Sequence, residues 1–449
     1  MNITLPQNVK TIIQTLESAG FEAYAVGGCV RDSLLNRIPE DWDITTSATP
    51  MEVKQHFRRT IDTGIQHGTV TIMIGKDGYE VTTYRIDGAY EDNRHPSDVT
   101  FTRNLTEDLK RRDFTINAMA YNEEDGLIDV FGGINDLEAG LIRAVGEPEE
   151  RFGEDALRIL RALRFSAQLG YHIEEHTRQA VQKLAPTLYK ISAERIRTEL
   201  VKLLISPHPE LLLDAYETGV MKIILPEFDV LMKTEQNNPH HNGTVGDHTI
   251  RSIKAVEADK NLRLIMLLHD MGKPSCRTED EQHIHHFHGH CEVSGAMAVD
   301  IMRRLKFDND TIHIVSTIVK YHDYNPELKS SAVRRAIHKV GETIFPLLFS
   351  VKRADIMAQS DYLRAEKLQY VDNLQKMYKE IIAAKDCVSL KNLAVTGKDI
   401  IAAGMKPGKG IGQILDLLLE DVIETPAHNT DTYLKARLPE LIAEIQKQS

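Results

Sequence analysis

Every strand-like stretch in this chain of 449 residues lies in its first third. Alternating or β-branched runs ("FEAYAV", "DWDITT", "TVTIMIG", "YEVTTYR") stop by about residue 145. From about Phe152 onward the apolar residues recur at helical spacing. Strands gathered at one end and helices at the other predict an α+β chain: a head with a mixed sheet and helices, followed by an all-α remainder. The length exceeds one typical core and predicts two to four domains.

Within the head, residues 7–19 read as an amphipathic helix (Val9, Ile12, Ile13, Leu16). "FEAYAVGG" reads as a strand ending in a glycine turn, "VRDSLLNR" as a helix, and "TVTIMIG" with "YEVTTYR" as a hairpin around "KDG". "EDALRILRALRFSAQLG" is a helix with a glycine stop, and "AERIRTELVKLL" is another. A polar, Gly/Asn/Pro-bearing gap at 233–247 marks a boundary. The expected parts are 1–150, 151–235, 240–340 and 341–449.

No apolar run approaches the roughly 20 residues that span a bilayer, so no membrane partner is expected. The N-terminal stretch lacks a basic segment followed by an apolar core. Four cysteines without CxxC spacing fit a reducing cytoplasm. The formal net charge of -12 counts mildly against a nucleic-acid partner. Its distribution counts the other way, because residues 151–205 hold 10 Lys/Arg against 6 Asp/Glu.

The chemistry concentrates first in "AVGGCVRDSLLNRIPEDWDITT" (25–46). In a strand, Asp41 and Asp43 would share a face while Trp42 turns toward the core. Two carboxylates on one face repel unless a cation lies between them, and Mg²⁺ prefers such hard oxygen ligands. Gly27 and Gly28 allow close approach of a phosphate chain. Arg31 lies within reach of a triphosphate, and Glu80 on "YEVTTYR" is a candidate third carboxylate. A plain surface loop is the competing reading.

GG-x-VRD followed by DWDITT resembles the signature of the class II tRNA nucleotidyltransferase and poly(A) polymerase family, within the polymerase-β superfamily. "EDLKRRDFTINAMAYN" (107–122), "DVFGGINDLEAGLIRAVG" (129–146), "EDALRILRALRF" and "AERIRTEL" resemble its later motifs, in order. The resemblance implies a polymerase-β-like nucleotidyltransferase head, then neck, body and tail. It also implies that Arg112 contacts the nucleotide and that Asp113 helps recognise the ribose, with Asn117 supporting that turn. The long polar segment "RIDGAYEDNRHPSDVTFTRNLTED" resembles the flexible loop of full CCA-adding members.

The neck has its own chemistry. Asp155, Arg158, Arg161 and Arg164 recur every third residue as one polar stripe, beside Leu157, Leu160 and Leu163. A carboxylate only accepts hydrogen bonds and a guanidinium only donates them. Asp155 with Arg158 therefore suits the amino-donor and ring-acceptor edges of cytosine and adenine, and mismatches those of uracil and guanine. The expected substrates are CTP and ATP, and the expected partner is tRNA, with Arg161 and Arg164 assisting selection. An ordinary solvated helix face is the alternative.

"GDHTIRS", "LIMLLHDMGKP" and "IHHFHGHCEVSG" bring His248, His269, Asp270, His288 and His290 within about 45 residues, and "KYHDYN" adds His322 and Asp323. Imidazole and carboxylate together suit a divalent or transition metal. The H…HD pattern at His248, His269 and Asp270 resembles the HD phosphohydrolase superfamily, with Asp323 one candidate for its last ligand. The body is then either a metal phosphohydrolase or a tRNA-binding scaffold. In the tail, glycines alternating with lysines in "GMKPGKGIGQIL" could hold an RNA phosphate or form a plain turn. Rival functions are a poly(A) polymerase or CC-adding enzyme of the same family, or an RNA-end phosphohydrolase.

Overall fold

In the computed structural model of the chain, the first amphipathic stretch folds as the helix Gln7–Ser18 and buries Val9, Ile12, Ile13 and Leu16. The structure describes residues 2–88, 99–241 and 243–448. The chain gathers into two units, Met1–Asp229 and Val230–Ser449.

The first unit is built on a seven-stranded sheet. Its spatial order is Thr60–Gly64, Thr69–Ile74, Asp77–Thr83, Ile44–Thr46, Ala23–Val26, Met119–Asn122 and Gly126–Asp129. All neighbours are antiparallel except Ile44–Thr46 against Asp77–Thr83. The hairpin forms as expected, but Ile74 pairs with Asp77, so Gly75 and Lys76 make the turn rather than "KDG". Ala23–Val26 is buried along its length at the middle of the sheet. On one face Tyr24, Val26, Tyr84, Leu109, Ala120 and Val145 form a core cluster. The expected flexible loop falls partly on residues 89–98, which lie outside the described residues.

"DWDITT" is only partly a strand. Pairing starts at Ile44, and Asp41 to Asp43 run just ahead of it. One further bond, from the Val26 N–H to the Asp43 carbonyl at 3.0 Å, pins that approach. Alternation survives, with Asp41 and Asp43 exposed and Trp42 half-buried rather than in the core.

The neck begins with two helices where one is expected, Pro148–Glu154 and Leu157–Leu169. Asp155 breaks them apart. Its backbone is extended (φ -135°, ψ 104°), and its Oδ1 accepts from the Leu157 N–H at 3.0 Å. A short acidic side chain that caps the next helix competes with continuing the previous one. Leu157, Leu160 and Leu163 are buried as the stripe predicts. Gly170 ends the helix at φ +73°, a left-handed C-cap. The helix Ala193–Leu204 packs against Leu157–Leu169.

Among its described residues the second unit is helical, with one short hairpin, Thr278–Glu279 with His285–His286. A capping box starts the helix Val245–Ala255: Thr244 Oγ1 accepts from the Asp247 N–H (3.1 Å), and Asp247 Oδ2 from the Thr244 N–H (3.0 Å). Such a cap contributes about 1 kcal/mol and fixes His248 on the first turn. The helix Lys260–Leu268 is apolar nearly all round and buried, and it delivers His269 and Asp270 at its C-terminal end. The C-terminal helices Lys409–Glu424 and Asp431–Gln448 share a core of Leu418, Leu419, Val422, Leu434 and Leu438.

Candidate active site and metal centre

In the parallel pair, Ile44 lies opposite Val81. One residue earlier on each side, Asp43 and Glu80 therefore fall next to each other. Desolvation raises the Asp43 carboxyl above its ordinary range, Arg112 opposes this, and Asp41 adds to it. Desolvation also raises Glu80, followed by the charges of Asp43 and Asp41. Solvent reaches all three side chains, although protein crowds them. Three oxygen-bearing acids that disfavour one another's charge form the donor set a hard divalent cation relieves. The site fits Mg²⁺.

The glycine turn lies beside this triad. Gly27 has φ +82°, and a Cβ there would stand 3.0 Å from Arg112 Nη1. The left-handed φ favours glycine, and the missing side chain leaves that guanidinium room to approach the backbone. Gly28 opens the helix Gly28–Leu34. Arg31 is buried and turned to protein partners, Asn117 Oδ1 at 2.7 Å and the Asp32 carboxylate at 2.9 and 3.0 Å.

Arg112 is steered by a residue the sequence reading passed over. Asp108 is fully buried, takes two bonds from Arg111 (2.9 and 2.7 Å), and lies 3.5 Å from Arg112. The i, i+3, i+4 spacing of Asp108, Arg111 and Arg112 was the available signal. Asp113 accepts from Arg161 Nε at 2.7 Å, Asn117 Nδ2 at 3.2 Å and the Phe114 N–H at 2.9 Å. Burial alone would raise its carboxyl, but Arg161 and Asn117 hold it at about 2. Asp113 is thus fully engaged in tying head to neck.

On the neck, Asp155 and Arg158 stand side by side, with the Arg158 N–H donating to the Asp155 carbonyl at 3.0 Å. Asp155 Oδ2 accepts from Arg195 Nη2 at 2.8 Å. Arg158 donates to Glu154 and to the carbonyls of Arg151 (3.0 Å) and Arg111 (2.9 Å). A carboxylate has about four acceptor positions and a guanidinium five N–H groups, so both are held in place with capacity left for a base. Arg161 and Arg164 are committed elsewhere, Arg161 to Asp113 and Arg164 to Glu199 at 2.5 Å. Arg195 lies 40 residues from its partner and left no local signal.

In the second unit, ligand atoms of His248, His269 and Asp270 all lie within 4.8 Å of one another. A second carboxylate that meets the two imidazoles is Asp355, with Oδ1 2.8 Å from His248 Nε2 and 3.8 Å from His269 Nε2. Asp323 lines the same cavity of about 540 Å³, and Lys352 opposes the rise that burial imposes on its carboxyl. Asp355 therefore stands nearer the two imidazoles than its neighbour in the cavity, and it lies on the helix Leu347–Ala358. A carboxylate on another helix, 85 residues from Asp270, was not recognisable from spacing.

Asp270 is 1% exposed, and neither of its oxygens accepts a well-aligned hydrogen bond, although His269 and Lys273 approach Oδ2 at 3.2 and 2.8 Å. Burial alone would raise its carboxyl, but His269 and Lys273 hold it well below the ordinary range. An anionic, underbonded carboxylate among imidazoles fits a divalent or transition metal. His288 is among the residues lining the cavity.

A mixed sheet bearing three acids beside a glycine turn, with a helical neck, defines a nucleotidyltransferase. The poly(A) polymerase head domain matches residues 23–143, the "Probable RNA and SrmB- binding site of polymerase A" matches 170–232, and tRNA nucleotidyltransferase domain 2 matches 277–438. The CCA-adding enzyme of Lactobacillus helveticus is 37% identical over 431 residues, 96% of each chain, and that of Levilactobacillus brevis is 37% identical over 92% of each. The crystal structure of the Bacillus stearothermophilus CCA-adding enzyme in complex with CTP superposes with a TM-score of 0.72 at 30% identity, covering 99% of this chain and 100% of that one. The chain belongs to the CCA-adding enzyme family. Among the described residues no helix is long and apolar enough to cross a membrane.

Proposed function

We propose that this chain builds the CCA end of tRNA without a nucleic-acid template, taking CTP and ATP and releasing pyrophosphate. The supporting observation is the convergence of Asp41, Asp43 and Glu80 beside Gly27 and Arg112. Asp41 and Asp43 would hold Mg²⁺, with Glu80 as the third acid. Two such ions, when bound, stabilise charge on the attacking 3′-hydroxyl and on the leaving pyrophosphate. Gly27, Gly28, Arg31 and Arg112 position the triphosphate, and Asp113 anchors the ribose side of the site through its tie to Arg161.

Base selection falls to Asp155 and Arg158, with Arg161 and Arg164 holding their helix in place. Head 1–150, neck 151–235, a body running from 240 to beyond Asp355, and a tRNA-binding tail complete the assignment. The working compartment is the cytoplasm, where its four free cysteines stay reduced. The body holds a divalent or transition metal at His248, His269, Asp270 and Asp355. Its open cavity supports phosphoester hydrolysis at RNA ends as a second activity.

The test uses tRNA transcripts ending at the discriminator base, given each labelled nucleoside triphosphate singly and combined. Incorporation that stops after C, C and A is expected. Long A tracts would make it a poly(A) polymerase, and a halt after CC a partial enzyme. Replacing Asp155→Ala together with Arg158→Ala is expected to erode the preference for C and A over U and G. Each lost pairing is worth about 1–3 kcal/mol, or roughly 5- to 150-fold. Unchanged selectivity in a folded double variant would remove the template role.

A further inference from the structure

Arg112 differs from the other arginines around the acidic triad and the neck. Arg31, Arg158, Arg161 and Arg164 each donate to protein acceptors. The Nε of Arg112 is buried with no hydrogen-bond partner among the described residues, and its Nη1 stands 3.0 Å from where a Gly27 Cβ would be. A buried donor without an acceptor needs a reason. Beside a glycine turn and three acids, the phosphates of an incoming nucleotide supply one. With Nε unbonded, the direction of this side chain depends on charge.

That charge is Asp108, whose carboxylate is 0% exposed. Its Oδ1 accepts from Arg111 Nε and Nη2 at 2.9 and 2.7 Å, and from the Arg85 N–H at 3.3 Å. Its Oδ2 accepts from Thr45 Oγ1 at 3.1 Å and faces Arg112 Nη2 at 3.5 Å. One oxygen thus pins the carboxylate to Arg111 and the strand Arg85–Asp87, and the other is left for Thr45 and Arg112. Burial alone would raise the Asp108 carboxyl, but Arg111 and Arg112 hold it below the ordinary range.

Thr45 is the link to the acids. It follows Asp43 by two residues, and its strand partner Thr82 follows Glu80 by two. Side chains two apart share a face, so Thr45 and Thr82 form the rung next to the acids. The Thr45 hydroxyl also lies 3.2 Å from the Thr82 carbonyl. It has one hydrogen, and a buried carboxylate is the stronger acceptor. Asp108 therefore holds the rung next to the acids and also the guanidinium that opposes the rise at Asp43.

We propose that Asp108 is a positioning residue for nucleotidyl transfer that acts through Arg112. With one oxygen it binds Thr45, two residues beyond Asp43, and holds Arg112, so the guanidinium and the acids keep a fixed separation. The proposal rests on the reading of Asp41, Asp43 and Glu80 as the Mg²⁺ site. It adds a residue that touches neither nucleotide nor metal.

The test is a cycle of variants in single-turnover incorporation of CTP and of ATP into tRNA transcripts. Amplitude counts folded enzyme, and rate reports the chemistry. Asp108→Asn keeps the volume and lets Oδ1 still accept from Arg111. Its amide nitrogen only donates, so it cannot accept from Thr45 or attract Arg112. The rate is expected to fall about 10²-fold for both nucleotides at full amplitude, the loss a small misplacement causes. In an Arg112→Ala background the same change should cost less than about threefold, because residues that act as a unit are not additive. The preference for C and A over U and G should hold. Should Asp108→Asn lose its thermal transition, Thr45→Val carries the same cycle. It should slow the wild type roughly 3- to 10-fold, the equivalent of one hydrogen bond, and leave Arg112→Ala unchanged. A wild-type rate in the folded variant overturns the proposal, as does a fall in amplitude alone, which makes Asp108 purely structural. The full loss repeated in Arg112→Ala places its action elsewhere and also overturns it. A loss of selectivity equal to the loss of rate assigns it to Arg158, through the Arg111 carbonyl, instead of Arg112. Arg112→Ala at the wild-type rate overturns the nucleotide-binding reading of Arg112 itself, and the proposal with it.

Discussion

Asp43→Ala is expected to cut incorporation of both CTP and ATP by at least roughly 10³-fold, the equivalent of about 4 kcal/mol of barrier. The size follows from its position. Asp43 shares the acidic cluster with Asp41 and Glu80, so its loss opens the cation's coordination. Stability should change little, or rise slightly. Solvent reaches the Asp43 side chain, its structural bond to Val26 comes from the backbone carbonyl, and its removal relieves repulsion among like charges. Large catalytic loss with no loss of folding marks a residue kept for chemistry at a cost to the fold. Single-turnover incorporation with a parallel thermal melt measures both. Residual activity within tenfold of wild type would remove Asp43 from the centre. Metal content of the second unit should be untouched by this change, and a parallel loss there would refute two independent sites.

Features of this molecule that depend on near neighbours were readable from the sequence, and those that depend on distant partners were not. The hairpin, the glycine turn and the buried stripe Leu157, Leu160 and Leu163 follow from alternation, backbone freedom and helical spacing. Asp41 and Asp43 could be grouped by their spacing, whereas the parallel pairing that sets Glu80 beside them joins strands 37 residues apart and left no local signal. Asp355 could not, because nothing in a helix of otherwise ordinary composition announces a partner 107 residues away. Arg161 and Arg164 carried the right spacing for a reading face, but spacing does not reveal that Asp113 and Glu199 already occupy them. The break at Asp155 was missed because its neighbours favour helix, and a single capping bond outweighs that preference.

Glu199→Ala is expected to destabilise the first unit by about 3–5 kcal/mol, because it strands a buried guanidinium. Arg164 is 7% exposed and Glu199 6%, and the pair ties the helix Leu157–Leu169 to the helix Ala193–Leu204. Gln168 Oε1 at 2.7 Å and the Phe165 ring 3.9 Å below the guanidinium soften the loss without replacing the charge. At about 2–4 °C per kcal/mol for a unit of this size, the first-unit transition should fall by roughly 6–20 °C. Calorimetry that resolves the two units is the measurement, and a shift below about 2 °C would show that the pair contributes little. Replacing both partners, Arg164→Met with Glu199→Leu, should be near neutral, since a packed apolar pair avoids the desolvation cost of both ions. That double variant also decides what Arg164 does for the reaction. If it still prefers C and A, then Arg164 serves by holding the neck helix on which Asp155 and Arg158 sit. If selectivity falls while the melting temperature holds, Arg164 acts on the nucleotide itself.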